Sequence, residues 1–414
     1  MPEFDAGSIA WVLISAALVL FMTPGLAFFY GGMVRAKHVL GMLMQNYFAM
    51  GLISVLWAVV GFSLAFGGGG RWIGNFDFAF LKDLQHAATQ LPGYSDAYAL
   101  AIPALLFCAY QMMFAVITPA LITGATADRL KFKSYVVFLG AWSLLVYSPV
   151  AHWVFSPNGW LFKRGALDFA GGTVVHINAG IAALAVVLLI GKRRGYPDEP
   201  MPPHNLPLTL LGTGILWFGW FGFNAGSALG ASPLAAQALI NTHLAAAAAM
   251  LGWLIVEKIK DGHPTTLGAA SGAVAGLVAI TPCAGFVSAM ASIVIGLIAG
   301  GICLLAIGIK RRFGFDDALD VVAVHLVGGI TGSLLLGFFA DTTINPLGAD
   351  GVFTGGGAEL LGNQAIAVGA TIVFSFVVSF IIAKVVDMTM GLRVDDATEA
   401  EGLDITQHAE TAYA

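Results

Sequence analysis

Asp168-Phe-Ala-Gly-Gly-Thr-Val-Val-His176 and Asp317-Ala-Leu-Asp-Val-Val-Ala-Val-His325 carry one spacing twice: an acid, seven residues, then a histidine. Each acid stands where an apolar run begins, so both stretches read as helices entering a membrane. At about 1.5 Å per residue, eight residues place each imidazole about 12 Å below its own face. A hydrocarbon core is about 30 Å thick, so two histidines approaching from opposite faces come within roughly 6 Å in depth. If both point inward, they touch. Paired ionisable rings at the midplane have no obvious structural use, and intramembrane ionisable residues are functional by default.

Composition agrees with that reading. Of 414 residues, 58% are hydrophobic and 10% charged, against roughly 25% charged in soluble domains. So few charges cannot clothe a water-facing surface, which excludes a soluble enzyme. The charges instead mark out the topology. Span-length gaps separate Asp5 from Arg35, Lys37 from Arg71, Asp96 from Asp128, Lys133 from Lys163 and Asp168 from Lys192. The 57 residues between Glu199 and Glu257, and the 48 between Asp261 and Lys310, each hold two helices and a turn. Asp320 to Asp341 and Glu359 to Lys384 add one apiece, giving eleven spans. Runs of about 20 apolar residues read as helices rather than barrel strands.

An odd count puts the termini on opposite faces. With the N-terminus outside, only Arg71, Lys82, Lys163 and Arg164 of the 19 basic residues stay outside, a positive-inside pattern. Only Glu3 and Asp5 precede the first span, so it lacks the basic start of a signal peptide and is expected to stay in the mature protein. Span 5 then enters from outside and span 10 from inside. The expected fold is an all-α polytopic membrane protein of eleven transmembrane helices. Two inverted five-helix repeats, about 7–192 and 205–340, precede a final helix at about 363–388. Residues 1–390 form the membrane domain. Residues 391–414, with six acids against Arg393, form a cytoplasmic tail that composition alone would leave disordered. The outer loop from Gly67 to Asp96 is the one long polar excursion.

Asp168 and Asp317 stand at helix N-termini, where a carboxylate caps free N–H groups and complements the dipole. Both read as architectural support first, with an electrostatic role second. His243 has no counterpart in the other half and reads as a histidine that simply hydrogen-bonds a helix backbone. Cys108, Cys283 and Cys303 show neither metal-ligand spacing nor a disulfide pattern, so no metal site and no cofactor is expected. A net charge of −5 without a basic block gives nucleic acid no footprint.

Leu167-Asp-Phe-Ala-Gly-Gly-Thr-Val-Val-His-Ile-Asn-Ala179 and Gly219-Trp-Phe-Gly-Phe-Asn-Ala-Gly-Ser227 resemble signatures of the ammonium transporter (Amt) family, bacterial and archaeal type. So do Met22-Thr-Pro-Gly-Leu-Ala-Phe-Phe-Tyr-Gly-Gly32, Pro203-His-Asn-Leu-Pro207 and Gly391-Leu-Arg-Val394. The resemblance covers nearly the whole chain. It implies a homotrimer with one pore per subunit, ammonium uptake across the cytoplasmic membrane, and a PII-type regulatory protein docking on the cytoplasmic face. By the same resemblance, His176 and His325 are the twin histidines of the pore, and Phe114 and Phe223 are its stacked gate. Ser227 supplies the hydroxyl of the outer ammonium site. The family often has tryptophan where this chain has Phe155, so the cage aromatic is left open among Phe155, Trp153 and Trp160. Tyr110 stands where some relatives have phenylalanine.

The chemistry is coherent without the resemblance. A fixed carboxylate in the passage would hold sodium and potassium as well. Aromatic faces attract a cation at about 0.5–2 kcal/mol, and a hydroxyl accepts the N–H hydrogen bonds that alkali ions cannot offer. Below such a mouth the spans offer Phe, Leu, Val and Ile, through which an unpaired ion is costly. Neutral ammonia is then the species expected to cross. Two other functions compete. A sensor of the same fold would signal through its cytoplasmic face, and the short tail argues against an appended signalling domain. A membrane enzyme using the two histidines lacks the further ligands and acids it would need.

Overall fold

A computed structural model describes residues 4–86, 90–98 and 100–413. Part of the outer loop, residues 87–89, lies outside the described residues. Within them the chain is all-helical, with no strand and one isolated antiparallel bridge, Leu130 to Arg393. Ten helices are long and apolar enough to cross a membrane. They are α1 (Ala6–Met33), α2 (Ala36–Phe66), α3 (Ala104–Thr126), α4 (Phe132–Arg164), α5 (Gly172–Ile190), α6 (Leu206–Ala228), α7 (Pro233–Asp261), α9 (Ala289–Phe313), α10 (Val322–Phe339) and α11 (Glu359–Met390). Between α7 and α9 lies a shorter apolar helix, α8 (Thr266–Ile280). This makes the protein a multi-pass membrane protein. The last long helix starts four residues before the expected 363 and ends two after the expected 388.

The helix ends follow from side-chain chemistry. Lipid offers no partner for the free N–H groups of a first turn, so caps stand at the starts. Asp5 accepts from the Ser8 N–H at 2.6 Å, Asn205 from Leu208 at 2.9 Å and Thr265 from Gly268 at 2.8 Å. At the other ends, α7 and α9 stop where Gly262 and Gly314 take left-handed backbone (φ 87° and 72°), a conformation glycine adopts without a Cβ penalty.

Small residues let the helices close. α1 packs along α6, α7 along α8 and α9, and α5 along α10 and α11. The central seam is α5 against α10. A Cβ on Gly180 would lie 2.4 Å from the Leu326 nitrogen, and one on Gly329 would lie 2.9 Å from Ile177 Cγ1. Each glycine is four residues past a histidine and meets the residue one past the other histidine. The two helices therefore run antiparallel across a local two-fold. Each carries its histidine in a π-helical stretch, Gly172–Ile177 and Val322–Val327. Such turns insert a residue and rotate the side chains beyond it by about 100°.

The tail is ordered, where composition alone would suggest disorder. It forms α12 (Asp396–Glu401) and α13 (Leu403–His408), pinned to loops at one end of the bundle. The Lys131 N–H donates to the Leu392 carbonyl at 2.9 Å, and Val394 to Arg129 at 3.0 Å. Glu399, 1% exposed, accepts from Arg393 at 2.6 Å and from the Arg194 N–H at 2.7 Å. Asp404 accepts from the Gly41 N–H at 2.8 Å, and His38 Nδ1 from Leu403 at 3.2 Å. Lys310 turns away from the tail to Asp320, at 2.7 Å. The basic ground under the tail is therefore Arg35 and Lys37, Arg129 and Lys131, and Lys192–Arg194, and no tail hydrogen bond or ion pair to 310–312 occurs among the described residues.

Candidate functional site

The two spaced acids act first on their own helices. Asp168 Oδ1 accepts from the N–H groups of Gly171 and Gly172 at 2.7 and 2.6 Å, and Oδ2 from Thr173 at 2.8 Å and from the Thr173 hydroxyl. Burial pushes the Asp168 carboxyl up, against the pull of these donors. Asp317 accepts from Val321 and Val322 at 3.1 and 2.7 Å. Both carboxylates thus satisfy the open first turns of the helices that carry the histidines.

Those helices bring His176 and His325 together. Their Nδ1 atoms lie 3.2 Å apart and their ring centroids 5.4 Å, the planes inclined by 20°. One proton between two facing Nδ1 atoms requires opposite tautomers, one ring donating and the other accepting. His176 stacks on Trp220 at 5.4 Å, and Trp220 is anchored by its Nε1 donating to Thr281 Oγ1 at 2.9 Å. His176 Nε2 is buried without a partner. The pair borders a narrow cavity of about 10 Å³ whose other walls are apolar or aromatic, among them Met22, Leu26, Ile117, Val175, Leu216 and Phe223.

Toward the Asp168 mouth, Phe114 and Phe223 close the way with ring centroids 4.4 Å apart, each 1% exposed. Phe223 sits in a third π-helical stretch, Phe221–Ala225. Beyond the rings lies a recess of about 30 Å³ lined by Tyr98, Phe107, Gln111, Phe114, Phe155, Asp168, Phe169, Ser227 and Leu229. It shares Tyr98, Asp168, Phe169, Ser227 and Leu229 with a wider vestibule of about 260 Å³. Ser227 Oγ donates to the Phe223 carbonyl at 2.9 Å and lies 3.1 Å from the Tyr110 hydroxyl. With its hydrogen on the Phe223 carbonyl, Ser227 Oγ keeps a lone pair for an N–H donor even when the Tyr110 hydroxyl donates to it. On the tail side, His325 also borders a cavity of about 250 Å³ that contains Glu257, Lys260, Asp261 and Asp320.

Of the aromatics singled out in the sequence, Phe114 and Phe155 line the recess. Trp153 and Trp160 do not. Trp153 packs among Trp72, Trp160 and Phe374 and donates to the Trp72 carbonyl at 2.7 Å. Tyr110 lies behind the recess, edge-on to Phe114 at 5.0 Å, and braces the Gly222 and Phe223 carbonyls at 2.9 and 3.0 Å. His243 is exposed, tilted at 37° beside Trp217 with centroids 5.5 Å apart, and the backbone hydrogen bond expected of it does not occur among the described residues. Sequence reasoning passed over Phe107 and Gln111, although both precede Phe114 at helical spacing, seven and three residues back. Among the described residues no group of three or more His, Cys, Asp or Glu stands together as a metal site.

A many-helix membrane bundle with two vestibules joined by a closed, histidine-bearing passage is the architecture of a transporter or channel. The chain belongs to the ammonium transporter family: residues 10–413 match the model of the Ammonium Transporter Family. It is 49% identical over 431 residues to an ammonium transporter of Mycobacterium tuberculosis, covering 99% of this chain and 90% of the relative. Among solved structures it is similar to Candida albicans Mep2, with TM-score 0.89 and 34% identity over 98% of this chain and 91% of that one. A sensor Amt protein is similar as well, with TM-score 0.88 and 31% identity over 97% of this chain and 98% of that one.

Proposed function

We propose that this protein carries ammonium across the cytoplasmic (inner) membrane for nitrogen assimilation. On this reading eleven helices cross, α8 included, with the N-terminus and the Asp168 mouth outside and residues 391–414 inside. The membrane domain is 1–390, and three copies assemble with one pore each. Ammonium enters the recess of Phe114, Phe155 and Ser227 and gives up its proton there. Ammonia passes the Phe114–Phe223 gate and crosses the apolar passage, and the His176–His325 pair relays the proton. The tail-side face, with its docked tail, is the surface for a PII-type regulatory protein.

The observation that carries this reading is the 3.2 Å contact between His176 and His325 inside an apolar passage. A bare ion is costly there, whereas imidazole both accepts and donates a proton near neutral pH. The test is an ammonium-dependent current and uptake assay in proteoliposomes, with potassium as the competing cation. A protein that moves neither ammonium nor its charge would sink the reading. The alternative is a sensor of the same fold. The similarity to a sensor Amt protein supports it, and ammonium-dependent binding of a cytoplasmic partner without transport would select it.

A further inference from the structure

Gln364 lies on α11, the helix outside both repeats, and is fully buried. Its amide pairs with both backbone groups of one residue. The Leu167 N–H donates to Gln364 Oε1 at 2.8 Å, and Nε2 donates back to the Leu167 carbonyl at 2.8 Å and to the Ser333 carbonyl at 3.1 Å. Both amide hydrogens are thus used. Leu167 immediately precedes Asp168 and Phe169, which line the recess beside Phe114 and Ser227.

The other half of the molecule has the same device in different chemistry. Asp316 immediately precedes Asp317. Arg129 donates to the Asp316 carbonyl at 2.6 Å, and Arg193 holds the Asp316 carboxylate at 2.9 Å. In both halves a long side chain from elsewhere grips the residue before the capping acid. On the tail side the grip is cationic. On the Asp168 side it is a neutral amide. A cation at 364 would compete for Asp168 and repel a positive substrate, whereas an amide reproduces the backbone pairing and adds no charge.

We infer that Gln364 is a positioning residue for the substrate recess. It holds Leu167 so that Asp168 keeps its caps and Phe169 keeps its place on the recess wall, and it touches no substrate itself. The inference rests on the ammonium-transport reading above.

The test measures half-saturating ammonium and maximal rate in proteoliposomes for the unaltered protein, Gln364→Leu, Gln364→Glu and Ser375→Ala. Ser375 is buried on the same helix away from the recess, so its variant reports what a merely structural change in α11 does. Gln364→Leu leaves both Leu167 groups unpaired and should raise the half-saturating concentration about tenfold, with a smaller effect on maximal rate. In Gln364→Glu the carboxylate accepts from Leu167 but cannot donate. Once protonated it does both, so the ratio of variant to unaltered activity should recover as pH falls from about 8 to 5. The charged and titratable groups on the elements packed here are Asp168, His176 and His325, with Lys133, His152, Lys163 and Arg164 on α4 and Glu359, Lys384 and Asp387 on α11 itself; the unaltered protein carries them all, so the ratio isolates position 364. An unchanged half-saturation in Gln364→Leu, or a ratio for Gln364→Glu that stays flat with pH, overturns the inference. If Gln364→Leu does not assemble, the pH ratio of Gln364→Glu decides alone. Absence of transport by the unaltered protein would count against the function, not against Gln364.

Discussion

Arg193, just past the end of α5, closes its Nε and one terminal nitrogen on the carboxylate of Asp316, just before α10, at 2.9 Å each. The same carboxylate accepts from the Arg193 N–H at 2.8 Å. The two histidine-bearing helices are therefore tied at the tail side as well as at the seam. Burial alone raises the Asp316 carboxyl, but the Arg193 hydrogen bonds, with the Arg129 and Arg193 charges, outweigh it and hold the group below the usual carboxylate range.

That bond predicts an acid sensitivity. A carboxyl whose folded pKa is depressed contributes stability that is present above its unfolded value, about 3.9, and is lost as pH falls through the folded one. Thermal unfolding of the purified protein should show this loss below about pH 4, and Asp316→Asn should remove it. At neutral pH, Arg193→Met should cost about 3–5 kcal/mol by stranding Asp316, and adding Asp316→Leu should restore part of the loss. Equal melting temperatures for the single and double variants would refute the coupling.

Replacing either His176 or His325 with alanine should remove most of the ammonium-dependent current, or admit potassium through a wetter passage. Both outcomes fit a relay that also keeps ions out. An unaltered current with potassium still excluded in the double alanine variant would reduce the pair to packing.

At the recess, Phe155→Trp should lower the half-saturating ammonium concentration by about two- to fivefold, because indole is the stronger cation–π partner. Trp153→Ala should leave that concentration unchanged, since Trp153 does not line the recess. A loss of affinity with Trp153→Ala together with no change with Phe155→Trp would move the site to Trp153.

Truncation after Met390 should lower transport while the assembled complex survives, as read by uptake and by size-exclusion chromatography. Glu399→Gln should reproduce part of the effect, because Glu399 ties the tail to the Arg194 N–H and to Arg35. Full activity after truncation would leave the tail without a role in transport.

Much of this was legible in the sequence. Scarce charges bounded nearly every long helix, because a charge inside lipid costs too much to be scattered at random. The Asp-x7-His spacing pointed to two histidines that meet, but not through helix rise alone: the helices open only at Gly172 and Val322, so the first half of each stretch is a capped turn rather than helix. The cage aromatic was less legible. Phe155, Trp153 and Trp160 sit within seven residues of one another, and which one faces the recess depends on the helix break after Phe155 and on the packing of Trp72. The tail was misjudged by composition, since its acids are held by buried backbone N–H groups and arginines brought from distant loops.

The local two-fold that relates α5 to α10 makes the two imidazoles meet through the same atom, Nδ1 to Nδ1. A contact that looks alike from either end carries no arrow. Whatever crosses it can cross back by the same steps, and any preference for inward flow has to come from the unlike mouths. One presents aromatic rings, a hydroxyl and the capped carboxylate of Asp168, the other Glu257, Lys260, Asp261 and Asp320. Rectification should therefore change with substitutions at the mouths.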